Sequence, residues 1–204
     1  MTDNELIISK LLNPDKLWSR EEILKKPSPI PPENGIYAWY FKTTPNISMF
    51  KKYFNIEEHN KVLLLKDSHK FQNYQLLYIG ISPKDNKSNN NIRNRLRGHM
   101  NGNSYSSTLR LSLGCLLADE LKITLKKHGS SLHFGKDEDK LSQWMSENTF
   151  VTFQLYKEPW SVEDEAINKL MLPLNLKDNT NSSFKEPLEK LRKHAKSIAR
   201  LKTS

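Results

Sequence analysis

Two short runs of aromatic and aliphatic residues constrain the fold of this chain more than any other feature of its sequence. The first covers residues 35–41, and the second covers residues 75–81 and is ended by Ser82 and Pro83. Both runs are shorter than a typical helix and rich in residues that favour extended backbone. They predict two buried strands, and we interpret the intervening residues 42–74 as an insertion with an element of its own.

Helical periodicity and one further apolar run account for most of the chain after the second strand. A third strand is predicted over residues 150–156. Helices are predicted over residues 92–100 and 109–127, from Ser161 to Pro173, and over residues 185–202. Ser161 is expected to cap its helix together with Asp164. The pattern indicates an α/β protein of the α+β type, with a small, mainly antiparallel, three-stranded sheet flanked by helices.

Prolines and charges divide the chain into a central domain with an addition at each end. Residues 1–33 are interpreted as a helical, proline-rich arm, in which Ser19 and Glu22 form a capping box before the prolines exclude helix. Residues 34–176 form the predicted central domain. Residues 177–204 are interpreted as a basic, helical C-terminal tail.

The charge of the chain favours a polyanionic partner. The chain has 32 Lys+Arg and 23 Asp+Glu, which gives a formal net charge of +9. Such an excess attracts phosphates, although many basic proteins are merely soluble. The distribution is more informative, because basic residues gather between positions 93 and 110 while acids gather at 119–120, 137–139 and 163–165. Segregated charge indicates a site rather than an evenly solvated surface.

No apolar run in the sequence is long enough to span a bilayer, and the first residues do not have the pattern of a secretory signal. The lone cysteine, Cys115, excludes an intramolecular disulfide. We therefore expect no membrane partner and a cytoplasmic location. No oligomeric state is predicted.

Tyrosines occupy matching places in the first two predicted strands. The first strand holds Gly35-Ile36-Tyr37 and the second holds Tyr78-Ile79-Gly80. A strand tyrosine on its own is usually a packing residue. After the second strand come Arg95 and His99, whose spacing of four residues places both on one face of a helix. Glu163 and, twelve residues later, Asn175 follow near the end of the central domain.

Together these segments resemble the motifs of the GIY-YIG nuclease superfamily. The two tripeptides match the halves of the motif that names it, and residues 92–99 resemble its arginine-bearing helix. Residues 163–175 hold the counterparts of its metal-binding glutamate and trailing asparagine. The resemblance spans about residues 35–175, and segments 107–110 and 141–145 look like a bacterial subgroup. It implies an endonuclease that hydrolyses nucleic-acid phosphodiester bonds, with DNA as the expected substrate and Mg²⁺ or Mn²⁺ as the cofactor.

The resemblance also implies roles for five catalytic residues. Tyr78 is assigned as the general base and Tyr37 as its auxiliary, with an exchange of the two roles left open. Arg95 is the phosphate clamp, because a guanidinium stays charged and matches phosphate oxygens. Glu163 is the metal ligand. His99 is expected to share proton transfer or to hold a phosphate oxygen, and the alternative is a packed histidine.

Several further assignments are less direct. Glu165 remains an alternative metal ligand, since acids at 163–165 are also favoured at the start of a helix by its dipole. Asn175 is expected to fix local geometry. General phosphate contacts are predicted for Lys84, Arg93, Arg97 and Arg110. Two other functions compete with a nuclease: a catalytically inactive nucleic-acid-binding module of the same fold, and a protein-interaction domain that is charged only for solubility.

Overall fold

A computed structural model of the protein describes residues 1–43, 69–180 and 182–201. Its helices are α1 (Asp3–Leu12), α2 (Arg20–Leu24), α3 (Ile92–Asn101), α4 (Thr108–Leu116), α5 (Glu138–Asn148), α6 (Pro159–Lys169) and α7 (Lys185–Leu201). Its strands are β1 (Gly35–Lys42), β2 (Lys70–Phe71), β3 (Tyr74–Ser82), β4 (Lys126–His128), β5 (Ser131–His133) and β6 (Thr149–Leu155). The element predicted inside the insertion falls mainly outside the described residues.

The central sheet is antiparallel and has the strand order β2-β3-β1-β6. It has four strands rather than the predicted three, because β2 pairs with the beginning of β3 across a tight turn. A strand of two residues is too short to produce a periodic signal in the sequence. β1 lies in the middle of the sheet, which explains why its apolar run is buried on both faces.

The alternating side chains of β1 divide the core into two clusters, one on each face of the sheet. Tyr37, Trp39 and Phe41 join the cluster formed with α3, α4, α5 and the buried side of α7. Ile36 and Tyr40 join the other cluster, which contains the apolar residues of α1 and α6. The sheet therefore carries the first motif tyrosine toward the arginine-bearing helix α3.

The N-terminal arm packs on the sheet. The predicted capping box at the start of α2 is confirmed, with Ser19 and Glu22 each bonding the backbone N–H of the other. Trp18 pairs with Val151 of β6, and Ile23 and Ile30 are buried in the core. The arm thus contributes directly to the packing of the central domain.

The helix predicted over residues 109–127 is wrong in its extent. Helix α4 ends at Leu116, and the chain then turns through Lys122, whose φ of 52° is incompatible with a continuing right-handed helix. The last predicted residues belong to β4, which pairs with β5 as a small hairpin. The apolar residues of this region are buried, and their periodicity does not distinguish a helix from buried turns.

The start of the helix that carries Glu163 also differs from the prediction. Helix α6 begins at Pro159, a favoured first helical residue, and Ser161 lies inside it and bonds the carbonyl of Glu158. Ser161 is therefore not the cap, and Glu163 lies beyond the first turn. The C-terminal helix α7 is confirmed. Within the described ranges, no helix has the length and apolar character required to cross a membrane.

Candidate active site

The two motif tripeptides lie side by side because β1 and β3 pair in antiparallel register. Tyr37 is opposite Gly80, and a Cβ atom at Gly80 would lie only 2.5 Å from the Tyr37 hydroxyl oxygen. At the other tripeptide, a Cβ atom on Gly35 would lie 2.5 Å from the carbonyl oxygen of Gln154. Both positions require glycine because a neighbouring group approaches the backbone closely.

The Tyr37 hydroxyl is held inside the protein by residues of α3. It lies 2.8 Å from Nε2 of His99 and accepts a hydrogen bond from Nε of Arg95 at 3.3 Å. Nδ1 of His99 lies 2.7 Å from Oγ of Ser107, and Arg95 also donates to the carbonyl of Ser106 at 3.1 Å. These bonds connect β1, α3 and the loop before α4 into one network, which we call the buried relay.

His99 belongs to the interior of the buried relay. Burial lowers the pKa of His99 well below its ordinary value, and the positive charges of Arg95 and Arg110 lower it further. The imidazole is therefore neutral near pH 7, with one ring nitrogen donating and the other accepting. Because His99 is only 1% exposed and does not line the cleft described below, its position favours holding Tyr37 over contacting a phosphate oxygen.

An open cleft of about 950 Å³ lies beside the buried relay. Tyr78, Glu163 and Asn175 line this cleft, whereas Tyr37 does not. The Tyr37 and Tyr78 rings are 6.5 Å apart between centroids. Of the two motif tyrosines, Tyr78 is thus the one that a ligand can reach.

Both motif tyrosines are neutral phenols in this environment. Burial raises the pKa of Tyr78, and the Arg95 guanidinium and a hydrogen bond with Thr108 oppose that rise. Burial raises the pKa of Tyr37 well above its ordinary value. Formation of a phenolate at Tyr78 consequently needs more positive charge than Arg95 alone supplies.

Glu163 faces the cleft with its carboxylate unpaired. Burial raises the pKa of this carboxyl to about 7, with a further contribution from Asp164. In the part of the chain that the structure describes, no hydrogen bond or ion pair holds its oxygens. Glu165 lies differently, because it binds Lys169 at 2.6 Å and Asn4 at 3.0 Å. The position of Glu163, and not that of Glu165, suits a ligand in the cleft.

The donor set at Glu163 fits a hard divalent cation. Across residues 1–43, 69–180 and 182–201, no group of three or more His, Cys, Asp or Glu side chains is arranged to hold a metal. A cation at Glu163 would therefore have fewer than three such side chains as ligands, with its other positions open to water and substrate oxygens. Mg²⁺ and Mn²⁺ accept this kind of coordination.

Asn175 holds the edge of β3 next to Tyr78. Its side-chain oxygen accepts from the N–H of Ile79 at 2.9 Å, and its amide nitrogen donates to the carbonyl of Ile79 at 2.8 Å. Leu174 adds a backbone bond to the carbonyl of Leu77 at 3.1 Å. The amide thus pairs with the strand as a neighbouring strand would.

The four predicted phosphate contacts do not line the cleft. Lys84 is highly exposed, Arg93 donates to the carbonyl of Ile30 at 2.5 Å, and Arg97 is partly exposed on α3. The prediction for Arg110 is corrected. Its side chain is completely buried and forms an ion pair with Glu138 at 2.7 Å, so it presents no donor to a phosphate at the surface.

Other residues of the cleft were missing from the sequence-based site. They are Thr108, Lys177 and the cations of α7, namely Arg192, Lys193, Lys196 and Arg200. The spacing of the α7 cations was visible in the sequence, but nothing local indicated that this helix lies beside Glu163. Thr108 had no signal that distinguished it from an ordinary residue at the start of a helix.

A family model described as the GIY-YIG catalytic domain matches residues 35–194. No curated protein and no solved structure matches the chain. The matched range covers most of the chain and contains both motif tyrosines, Arg95, Glu163 and Asn175. The chain belongs to the GIY-YIG catalytic domain family.

Proposed function

We propose that this protein is a metal-dependent endonuclease that hydrolyses phosphodiester bonds, with DNA as its substrate. Family membership indicates a nuclease that acts on nucleic acid. The observation that carries the proposal is the carboxylate of Glu163, which has no partner among the described residues, faces the same cleft as Tyr78 and has its pKa raised to about 7 by burial. A half-buried acid with a raised pKa in a cleft is typical of a functional site.

Arg95 belongs to the buried relay and does not line the cleft, but its charge acts on groups that do. It donates to the Tyr37 hydroxyl, and its charge lowers the pKa of both Tyr78 and Glu163. In the proposed reaction the guanidinium holds the phosphate and stabilises the negative charge that develops on it. A divalent ion on Glu163 would polarise the phosphate and stabilise the leaving oxygen.

The two tyrosines have different roles in the proposed proton transfer. Tyr78 faces the cleft and would remove the proton from the attacking water as a phenolate, which forms only when further positive charge beside Arg95 lowers its pKa. Tyr37 orients it, and His99 and Ser107 hold Tyr37 from behind. Asn175 keeps the strand that carries Tyr78 in place. Arg93, Arg97 and Lys84 remain proposed as outlying phosphate contacts, and the cytoplasm as the site of action.

The proposal is tested by incubating purified protein with supercoiled plasmid, single-stranded DNA and RNA. We expect cleavage with Mg²⁺ or Mn²⁺ and none after chelation. Glu163→Gln and Arg95→Ala should each reduce the rate at least about a hundredfold, because each removes a group that stabilises the transition state. Glu165→Gln is the matched control, since it removes a carboxylate from the same helix outside the cleft.

The opposite outcome defines the alternative function. Salt-sensitive binding without metal-dependent cleavage of any of these substrates would identify a catalytically inactive nucleic-acid-binding module. Cleavage that survives Glu163→Gln but is lost in Glu165→Gln would contradict the assignment of the metal ligand.

A further inference from the structure

The C-terminal helix contributes a row of cations to the cleft that holds Tyr78 and Glu163. Arg192, Lys196 and Arg200 are spaced by four residues, so they follow one face of α7. All three line the cleft. We call these three residues the cleft row.

The packing of α7 determines which way the cleft row faces. Leu188 and Ala199 are buried in the core, and Leu191 and Ala195 pack against it. The helix lies against α4 and β4, and Arg192 bonds the Ser112 hydroxyl at 3.5 Å. Apolar contacts therefore set the orientation of the helix, and the cations are presented to the cleft as a consequence.

Charges are separated within the cleft. Three acids, Glu163, Asp164 and Asp178, lie with one cation, Lys177, on α6 and the segment after it. Helix α7 contributes the cleft row, Lys193 and a single acid, Glu189. Among the residues that the structure describes, no ion pair joins Glu163 or Asp164 to Arg192 or Lys196. Burial lowers the pKa of Lys196, and the charges of Arg192 and Arg200 lower it further.

The spacing of the cleft row suits a ligand with repeated negative charge. Four residues of α-helix advance by about 6 Å, so the three cations follow one another at that interval. Successive phosphates of an extended nucleic-acid strand repeat on a similar scale. Like charges held in a row on one helix face favour a polyanion, which releases its counterions when it binds.

We propose that the cleft row binds the backbone phosphates of a nucleic-acid strand next to the phosphate that faces Glu163. Helix α7 is then a substrate-binding wall of the active site, with Arg192, Lys196 and Arg200 as its contacts. The location of the scissile phosphate rests on the proposed nuclease function, but the binding itself does not. The two are tested separately.

The test measures binding in the Glu163→Gln protein with chelator present, so that no substrate is cut. Fluorescence anisotropy is recorded over a series of salt concentrations with labelled oligonucleotides: single-stranded DNA, single-stranded RNA and duplex DNA. The cleft variant is Lys196→Gln/Arg200→Gln. The matched control is Lys185→Gln/Lys190→Gln, which removes the same charge from α7 at residues outside the cleft.

We expect the cleft variant to weaken binding several-fold and to flatten the salt dependence. Each lost phosphate contact lowers the slope of log Kd against log salt by about 0.7 on a single strand and about 0.9 on a duplex. The matched control should keep the original slope. The charge-conserving variant Lys196→Arg/Arg200→Lys should restore most of the affinity. If the double variant does not fold, Lys196→Gln alone replaces it, and the slope should then fall by the amount expected for about one phosphate contact.

Three results would overturn the inference. One is an unchanged slope in the cleft variant, and another is an equal loss in the matched control, which would reflect net charge only. The third is equally tight binding of poly-glutamate of the same charge. If the protein cleaves nucleic acid but the slope of the cleft variant is unchanged, the binding role of the cleft row is rejected and the nuclease function stands. If the slope of the cleft variant is reduced but the protein cleaves no substrate, the nuclease function is rejected and the binding role of the cleft row stands.

Discussion

The buried relay and the cleft differ in how their polar groups are satisfied. In the relay, Tyr37, His99 and Ser107 bond to one another away from solvent. In the cleft, Glu163 has no such partner among the described residues, and burial raises its pKa to about 7. The protein therefore satisfies the groups that position the site and leaves unpaired the group that faces a ligand. The first kind of group stabilises the fold, and the second costs stability in exchange for function.

The largest expected effect comes from breaking the ion pair that supports the relay. Arg110 donates to the carbonyl of His99 at 3.1 Å and pairs with Glu138, which also binds the backbone of Ser104 and Phe134. Arg110→Met leaves a buried carboxylate without its cation and should lower the free energy of unfolding by about 3–5 kcal/mol. Urea denaturation measures this loss.

A double variant provides the control for Arg110. Arg110→Met/Glu138→Leu removes both charges and should recover part of the stability, since no buried charge then remains unpaired. Arg97→Met, on the partly exposed face of α3, should change the free energy of unfolding by less than about 0.5 kcal/mol. If the double variant loses as much free energy of unfolding as Arg110→Met, then packing, and not charge, makes Arg110 important.

A methyl group at Gly80 should disturb the relay from the opposite side. Its Cβ atom would meet the Tyr37 hydroxyl at 2.5 Å, so Gly80→Ala must displace that ring and should cost about 1–3 kcal/mol of stability. Gly98→Ala is the matched control, because nothing lies within 4 Å of its Cβ position inside α3. It should stabilise the protein by about 0.5–1 kcal/mol. Thermal unfolding of both variants tests these two expectations. A Gly80→Ala protein as stable as the wild type would contradict the close packing at Gly80.

The contribution of Glu163 to stability should change with pH in the opposite direction from that of an ordinary surface acid. The pKa of Glu163 is about 7 in the folded protein and 4.5 as its unperturbed value, so the folded state keeps a proton that the unfolded state loses. The stabilising contribution of the protonated form is complete below pH 4.5 and is lost as the pH rises through 7. The free energy of unfolding of Glu163→Gln should therefore exceed that of the wild type by about 1–2 kcal/mol at pH 8 and equal it at pH 4.

Urea denaturation of both proteins at the two pH values tests this expectation. Glu165→Gln is the control, because its carboxylate already pairs with Lys169 and should gain nothing at pH 8. A Glu163→Gln protein that is less stable than the wild type at pH 8 would show that the carboxylate has a favourable partner.

The smallest expected effect is at Ser107, where the relay meets α4. Its hydroxyl caps the helix by accepting from the N–H of Arg110 at 3.1 Å and also contacts His99. Ser107→Ala should cost about 1 kcal/mol of stability. Under the proposed function it should also lower kcat severalfold and leave KM unchanged, because Ser107 does not line the cleft. Ser107→Thr should restore both properties, and a change in KM alone would argue against a positioning role.

Local signals in the sequence predicted the parts of the site that depend on local structure. The strands of Tyr37 and Tyr78 and the helix of Arg95 and His99 follow from apolar pattern and motif. The assignment of Glu163 rests on the family resemblance, and its position in the cleft supports it.

Contacts between distant segments could not be predicted in this way. Arg110 looked like a phosphate ligand because Glu138, its partner, lies 28 residues away in the chain. The start of α6 was misplaced because Pro159 begins the helix without a side-chain cap. The position of α7 beside Glu163 depends on packing against α4, which no local pattern specifies.

The amide of Asn175 has a consequence for association between molecules. An unpaired strand edge is a template on which a strand of another chain can pair. Next to Tyr78, both backbone groups of Ile79 are taken by Asn175, and the carbonyl of Leu77 is taken by Leu174. These positions of β3 are therefore closed to pairing with a strand of another molecule, while the cleft beside them stays open to a ligand.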